Sequence, residues 1–192
     1  LEADVNLVYT REEQIVNTMM KHSLDGTVKS KIRKDGTIAG LSMSCTLDAG
    51  AYLTVSRGYA STIGEKIAKV YRMPNIHFDS RVVCTNTPIN GSFRSWGSCE
   101  EALLLENHWN MVCREMGIDP VEFRLKNILY PYETEVVHKI PVGNVHFREC
   151  LLKGPGDFWM GKRKEDVQKE KQGAEEIPLW SGHGAGLPYQ FL

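Results

Sequence analysis

Thr27-Val28-Lys29-Ser30-Lys31-Ile32-Arg33-Lys34-Asp35-Gly36-Thr37-Ile38-Ala39-Gly40-Leu41-Ser42-Met43-Ser44-Cys45-Thr46-Leu47 reads as a β-hairpin. Val28 and Ile32 alternate with Lys29, Lys31 and Arg33, the two-residue period of a strand with one face covered. Asp35-Gly36 supplies the positive-φ backbone that a tight strand connection needs. On the return strand Ala39, Leu41, Met43, Cys45 and Leu47 fall on one face, which is therefore the expected core face. Asp48-Ala49-Gly50-Ala51-Tyr52 closes the unit as a turn or bulge.

Outward from the hairpin, helices and strands mix. Upstream, Val5, Leu7 and Tyr9 suit a short strand, and Thr10-Arg11-Glu12-Glu13 is a capping box. It predicts a helix to about His22 with Ile15 and Met19 inward, ended by Gly26. Downstream, residues 58–70 predict a helix with Ile63 and Ile67 on one face, stopped by Pro74. Residues 76–85 predict a strand, and residues 86–97 a loop. Ser98-Cys99-Glu100-Glu101 reads as a second capping box, opening a helix over residues 99–116 with Ala102, Leu105, Trp109, Val112 and Met116 inward. Gly117 is placed to end it in the left-handed conformation, and Asp119-Pro120 to cap and start a short helix to about Asn127. Residues 145–153 predict a further helix broken by Gly154-Pro155-Gly156. Residues 161–171 read as a charged helix, and residues 181–188 as a loop or strand start. The expected class is α+β: a mixed, largely antiparallel sheet with helices packed on one side. Residues 1–153 are expected to form part of one domain, and 154–192 a charged helix or linker leading to the next segment.

Composition narrows the function. The 192 residues are 42% hydrophobic and 24% charged, ordinary for a globular chain with its own core. A net charge of -1 gives no reason to expect nucleic acid or an anionic membrane as partner. No apolar run approaches the roughly 20 residues of a membrane span, and the residues from Leu1 onward do not read as a signal-peptide pattern. The five cysteines, Cys45, Cys84, Cys99, Cys113 and Cys150, form no C-x-x-C pair, so neither a zinc or iron–sulfur site nor a disulfide framework is expected. A reducing, cytoplasmic setting follows as the expectation.

The segment with chemical promise is Thr85-Asn86-Thr87-Pro88-Ile89-Asn90-Gly91-Ser92-Phe93-Arg94-Ser95-Trp96-Gly97, a polar loop that feeds a helix start. A strand end, a Gly-containing loop and a helix N-terminus together gather peptide N–H groups suited to an anion or oxo group. Arg94 adds a cation, and Trp96 a flat apolar plate. Two readings stand here: a ligand-holding rim, or a loop whose Phe93 and Trp96 plug the core.

This segment resembles a signature of the molybdenum hydroxylases of the xanthine dehydrogenase and aldehyde oxidase type, in which T-N-x-P precedes aromatic-Arg-Gly-Phe-Gly and a helix. Further segments are similar in the same order: Thr10-Arg11-Glu12-Glu13-Gln14 to an R-E-E segment, with Lys21-His22 near an Arg-His; Lys34-Asp35-Gly36-Thr37-Ile38 and Asp48-Ala49-Gly50-Ala51-Tyr52 to a hairpin and its turn. Tyr71-Arg72-Met73-Pro74-Asn75 is similar to Y-x-I-P-N, and residues 117–127 to G-x-D-P-x-E-F-R-x-K-N. The likeness covers about residues 8–152.

The resemblance implies part of a molybdenum cofactor-binding domain, in an enzyme that oxidises an aromatic heterocycle or aldehyde with water as oxygen source. Phe93 and Arg94 would lie at a molybdenum–molybdopterin group, with a cytosine dinucleotide as one form, and Trp96 at the substrate. Iron–sulfur and FAD-carrying subunits or domains would be the partners. Departures are local. Ser95-Trp96-Gly97-Ser98-Cys99-Glu100 stands where the family has Gly-Phe-Gly-Gly-Pro-Gln, and Thr62 where the xanthine-directing arginine falls. The family's catalytic glutamate and an upstream Gly-rich cofactor segment lie outside this sequence, so the piece alone is expected to be inactive. The alternative is a scaffold or subunit-docking module. A small unrelated α+β enzyme is a third possibility, but no nucleophile–base pair is found for it.

Among the remaining polar residues, Arg11, Glu12 and Glu13 read as helix-start electrostatics, and Glu100 as helix-start stabilisation beside a possible polar role. The six histidines share no ligand spacing. The glycines of Gly182-His183-Gly184-Ala185-Gly186 could cradle a phosphate, but G-x-G-x-G without a following helix is a weak pattern for one.

Overall fold

In the computed structural model, residues 3–157 are described, with side chains to residue 154. The hairpin forms as expected from its pattern: β2 (Ser23–Ile32) pairs antiparallel with β3 (Ile38–Asp48), with a register shift between Lys31 and Ile32. β4 (Ile76–Val83) joins the other side of β3 in parallel, giving a mixed three-stranded sheet in the order β2-β3-β4. Leu41, Met43, Cys45 and Leu47 are buried on one face of β3, as their alternation dictates. Ile38 takes the buried place at the strand start that the alternation gave to Ala39, because the bulge at Lys31/Ile32 resets the phase there.

Against that face pack α2 (Ser56–Lys66, continued by a tight turn Ile67–Lys69), α3 (Ser98–Met116) and α4 (Pro120–Asn127). Trp109 is at the centre, fully buried, with Tyr71 and Phe123 ring centroids 5.8 and 5.5 Å away. Leu105 and Cys113 share its stripe, whereas Ala102 and Met116 at the ends of the predicted stripe are exposed. α2 crosses close over β4 because Gly64 has no side chain; a Cβ there would stand 2.3 Å from the Phe78 ring.

Helix ends follow their local chemistry. Asp119 accepts from the Val121 amide at 2.8 Å with Pro120 at the first helical position, and Gly117 ends α3 at φ 66°. The Thr10–Glu13 box is formed on both sides, but its helix α1 (Arg11–Asn17) stops well before His22 and buries nothing; Ile15 and Met19 are exposed. Gly26 lies inside β2 rather than after a helix. No strand forms at residues 5–9, where Val5, Leu7 and Val8 are exposed: alternation alone makes no strand without an edge to pair with. α5 (Phe147–Asp157) runs through Gly154-Pro155-Gly156, where a break was expected. The expected helix at 161–171 and the Gly-rich stretch at 181–188 lie outside the described residues. Among the described residues no helix is long and apolar enough to cross a membrane.

Candidate functional site

The carboxyl end of the sheet positions the loop. Asp48, the last residue of β3, accepts hydrogen bonds from the Gly50 amide at 2.8 Å, the Thr85 hydroxyl at 2.7 Å and the Thr87 hydroxyl at 3.3 Å. These donors, Thr85 first, hold its carboxyl below the usual range. The main chain repeats the clamp: Thr85 N donates to Gly50 O at 3.0 Å, Ala51 N to Thr87 O at 3.1 Å, and Asn90 N to Ala49 O at 3.0 Å. Beyond it, β5 (Asn90–Gly91) pairs in parallel with β1 (Met20–Lys21), tying the loop to the amino-terminal part of the chain.

From there the backbone turns unusual. Arg94, Ser95 and Trp96 have φ of 61°, 61° and 44°, followed by Gly97 at 87°. Positive-φ conformations of these kinds cost L-residues about 1–3 kcal/mol each, so three in succession persist only where neighbours hold them. Ser95 stands where the molybdenum hydroxylase pattern has glycine, the residue that adopts such a φ without strain. The holding groups come from α2. Lys66 Nζ donates to Ser95 O at 2.9 Å and Trp96 O at 2.7 Å, and Trp96 Nε1 donates to Thr62 Oγ1 at 3.1 Å. Gly97 rests on α2 so closely that a Cβ would lie 2.8 Å from Ile63 Cγ1.

The three sequence candidates emerge together on this turn. Phe93 is 53% and Trp96 41% exposed, so neither plugs the core. Arg94 is exposed and makes no ion pair among the described residues, and the Phe93 and Arg94 amides have no hydrogen-bond partner there. α3, 19 residues long, starts directly behind them and directs the positive end of its dipole at the turn. Ser98 does not cap it: Gly97 is the N-cap, and the Ser95 hydroxyl accepts from Cys99 N at 3.3 Å instead.

Under the turn lies a polar cluster that the sequence reading did not assemble. Glu100 is 7% exposed, with Lys21 Nζ 3.1 Å from its Oε1, so it is an interior ion-pair partner as well as a helix-start acid. His22 is buried, 2.8 Å from the Ser56 hydroxyl through Nε2, and stacks on Tyr59 at 4.3 Å. Burial lowers the His22 pKa, and it raises that of Tyr59 with Glu100 adding to the rise. The nearest sequence hint was the adjacent pair Lys21-His22; nothing local shows that Glu100 would meet it.

Glu101, on the same first turn of α3, has its carboxyl pushed up to about 7 by desolvation, with Glu106 repelling and Lys66 partly offsetting. A raised carboxyl pKa means that the folded state holds the proton more tightly, so stability is present below the free value of 4.5 and declines as pH rises through about 7. Glu101→Gln should flatten that decline and be more stable than wild type at pH 8.5 by about 1–3 kcal/mol. Thermal melts at pH 5 and 8.5 check this, and parallel melting of the two proteins at both pH values would refute it.

Comparison with known proteins now decides the family. The family profile described as "Molybdopterin cofactor-binding domain" matches residues 1–128. The chain belongs to the molybdopterin cofactor-binding domain family. It is similar to the xanthine dehydrogenase molybdenum-binding subunit of Escherichia coli O157:H7, 28% identical over 167 residues, 87% of this chain and 22% of that protein. It is also 31% identical over 129 residues to a probable xanthine dehydrogenase subunit of Bacillus subtilis (strain 168), 67% of this chain and 17% of that protein. The aldehyde oxidoreductase structure from Desulfovibrio desulfuricans shares the fold, with a TM-score of 0.71 at 22% identity over 88% of this chain and 18% of that one. The chain thus spans about a fifth of the length of the curated relatives it matches.

Toward an organic cofactor a protein supplies binding, orientation and electrostatics, and polar donors are the groups that can cradle it. This turn offers such donors. Among the described residues no group of three His, Cys, Asp or Glu side chains could hold a metal ion, whereas Phe93 and Arg94 present unpaired amides beside a free guanidinium. The residues fit the group.

Proposed function

We propose that this member of the family forms one wall of the substrate cleft in a molybdenum hydroxylase that oxidises an aromatic heterocycle or aldehyde, with water as oxygen source. Residues 1–153 contribute to the cofactor-binding domain. Phe93 and Arg94 face the molybdenum–molybdopterin group, with the cytosine dinucleotide as one form of it. Trp96 faces the substrate. The bound group supplies the two-electron redox chemistry; the residues of this chain bind and orient. The Phe93 and Arg94 amides donate to its anionic edge, the guanidinium adds charge, and the indole face excludes water from one side of a flat ring. Iron–sulfur and flavin subunits or domains receive the electrons, and the setting is cytoplasmic.

One observation carries this reading: consecutive positive-φ residues, 94 to 96, hold two partly exposed aromatic side chains beside unpaired amides. Backbone strain and exposed aromatics are both costly, and they gain a physical reason if a ligand covers them. The test is Trp96→Ala in the complete enzyme. kcat/KM should fall roughly tenfold, the kinetic equivalent of about 1.4 kcal/mol of lost contact, while molybdenum content by elemental analysis stays at the wild-type level. Loss of the metal would contradict the role given to Trp96.

A further inference from the structure

Thr62 and Lys66 stand four residues apart on α2, so both face the same neighbour. That neighbour is the left-handed turn, and each grips a different part of it. Lys66 Nζ bridges the Ser95 and Trp96 carbonyls at 2.9 and 2.7 Å. The Thr62 hydroxyl accepts the indole N–H at 3.1 Å while donating its own proton to Gly58 O at 2.9 Å. The second bond fixes where the hydroxyl lone pairs point, so Thr62 is an oriented acceptor rather than a rotating one. An indole has a single N–H, and anchoring it settles which ring edge lies on α2 and which face remains open. Tyr59, one turn earlier on the same helix, packs beside the ring with centroids 6.0 Å apart and planes tilted by 52°.

We infer that Thr62 is a positioning residue for Trp96, and that Thr62 and Lys66 form a two-point clamp setting the plane of the indole offered to a flat substrate ring. The substrate part of the inference rests on the reading of Trp96 in the proposed function; the clamp itself does not. Lys66 holds the peptide carbonyls and Thr62 the ring, so main chain and side chain are fixed separately. A misplaced plate loses stacking with a bound ring and leaves the chemistry of a bound, correctly oriented substrate unchanged. The cost therefore falls on KM.

The full-length enzyme labelled with 5-fluorotryptophan separates the two parts of the claim, with the Trp96 fluorine resonance assigned by its disappearance in Trp96→Phe. Thr62→Val keeps the side-chain shape and removes the acceptor. It should shift and broaden the Trp96 resonance while the resonance of buried Trp109 stays in place, and Thr62→Ser, which retains the hydroxyl, should restore the wild-type position. With benzaldehyde as the probe substrate, Thr62→Val should raise KM about tenfold and leave kcat within about twofold. Lys66→Met should perturb the same resonance. An unmoved Trp96 resonance in Thr62→Val, or equal spectra for the Val and Ser variants, overturns the clamp. A moved resonance with unchanged KM upholds the clamp and overturns the assignment of Trp96 to the substrate.

Discussion

Gly50→Ala should lower stability by roughly 2–5 kcal/mol, combining about 1–2 for a forced left-handed conformation with about 1–3 for steric displacement. Gly50 has φ 70°, and a Cβ on it would stand 1.9 Å from Pro88 O and 3.1 Å from Asn90 N. Neither contact is with a flexible side chain; the backbone of the 85–90 segment would have to move. That segment is also hydrogen-bonded to Gly50 itself, through Thr85 N to Gly50 O at 3.0 Å. A displacement there breaks the Asp48 clamp and releases the run of residues that ends in Arg94 and Trp96. Gly58→Ala is the matched control: nothing lies within 4 Å of its added Cβ, and it sits inside α2, so it should be neutral or stabilising by about 0.5–1 kcal/mol. Urea denaturation of both variants measures the contrast. If Gly50→Ala unfolds at the wild-type midpoint, close packing of Pro88 on Gly50 does not organise the loop.

Gly50 also shows which parts of this molecule the sequence reveals. Turn chemistry, caps and strand alternation are local, so Asp35-Gly36, Asp48-Gly50, Gly117 and Asp119-Pro120 do in three dimensions what their residue types suggest. The segment at residues 5–9 has the same local pattern and forms no strand, because a strand needs a partner and the chain offers it none among the described residues. Ser98 to Glu101 has the spacing of a capping box, but the preceding left-handed run delivers the chain at Gly97, and the cap moves with it. Three ordinary L-residues with positive φ cannot be read from propensity, since each alone disfavours it; they exist because Lys66 and Thr62 reach across from another helix. The burial of Glu100 has the same origin. Its partner Lys21 is brought near by the β1–β5 pairing, a contact no local window contains. Phe93, Arg94 and Trp96 were legible as candidates, and Thr62 as the position of the family's xanthine-directing arginine, whereas the grip of Lys66 and Thr62 on Ser95 and Trp96 was not.

Some of the similarity segments build the scaffold rather than the candidate turn, and these make a stability prediction of comparable size. In residues 117–127, Asp119 caps, Phe123 is in the core, and Arg124 bonds Glu106 Oε2 at 2.6 Å. Asn127, 2% exposed, joins α4 to the hairpin turn. Its Oδ1 accepts from Ile38 N at 2.9 Å, and its Nδ2 donates to Gly36 O and Phe123 O, each at 2.9 Å. Truncation leaves the Ile38 amide and the Gly36 carbonyl without those partners. Each buried orphan costs about 1–3 kcal/mol, so Asn127→Ala should lose roughly 2–5 kcal/mol. For a chain of this size that is a fall in Tm of about 5–15 °C. The damage should be directional. The turn end of the β2–β3 hairpin loosens first, so the Ile38 amide should exchange with solvent far faster than in wild type, while the Met43 amide, mid-strand and distant from Asn127, keeps its protection relative to global unfolding. A loss below about 1 kcal/mol, or uniform exchange along β3, would mean that the hairpin holds its turn without α4. The asparagine that closes this segment would then need another explanation than the lock it makes here.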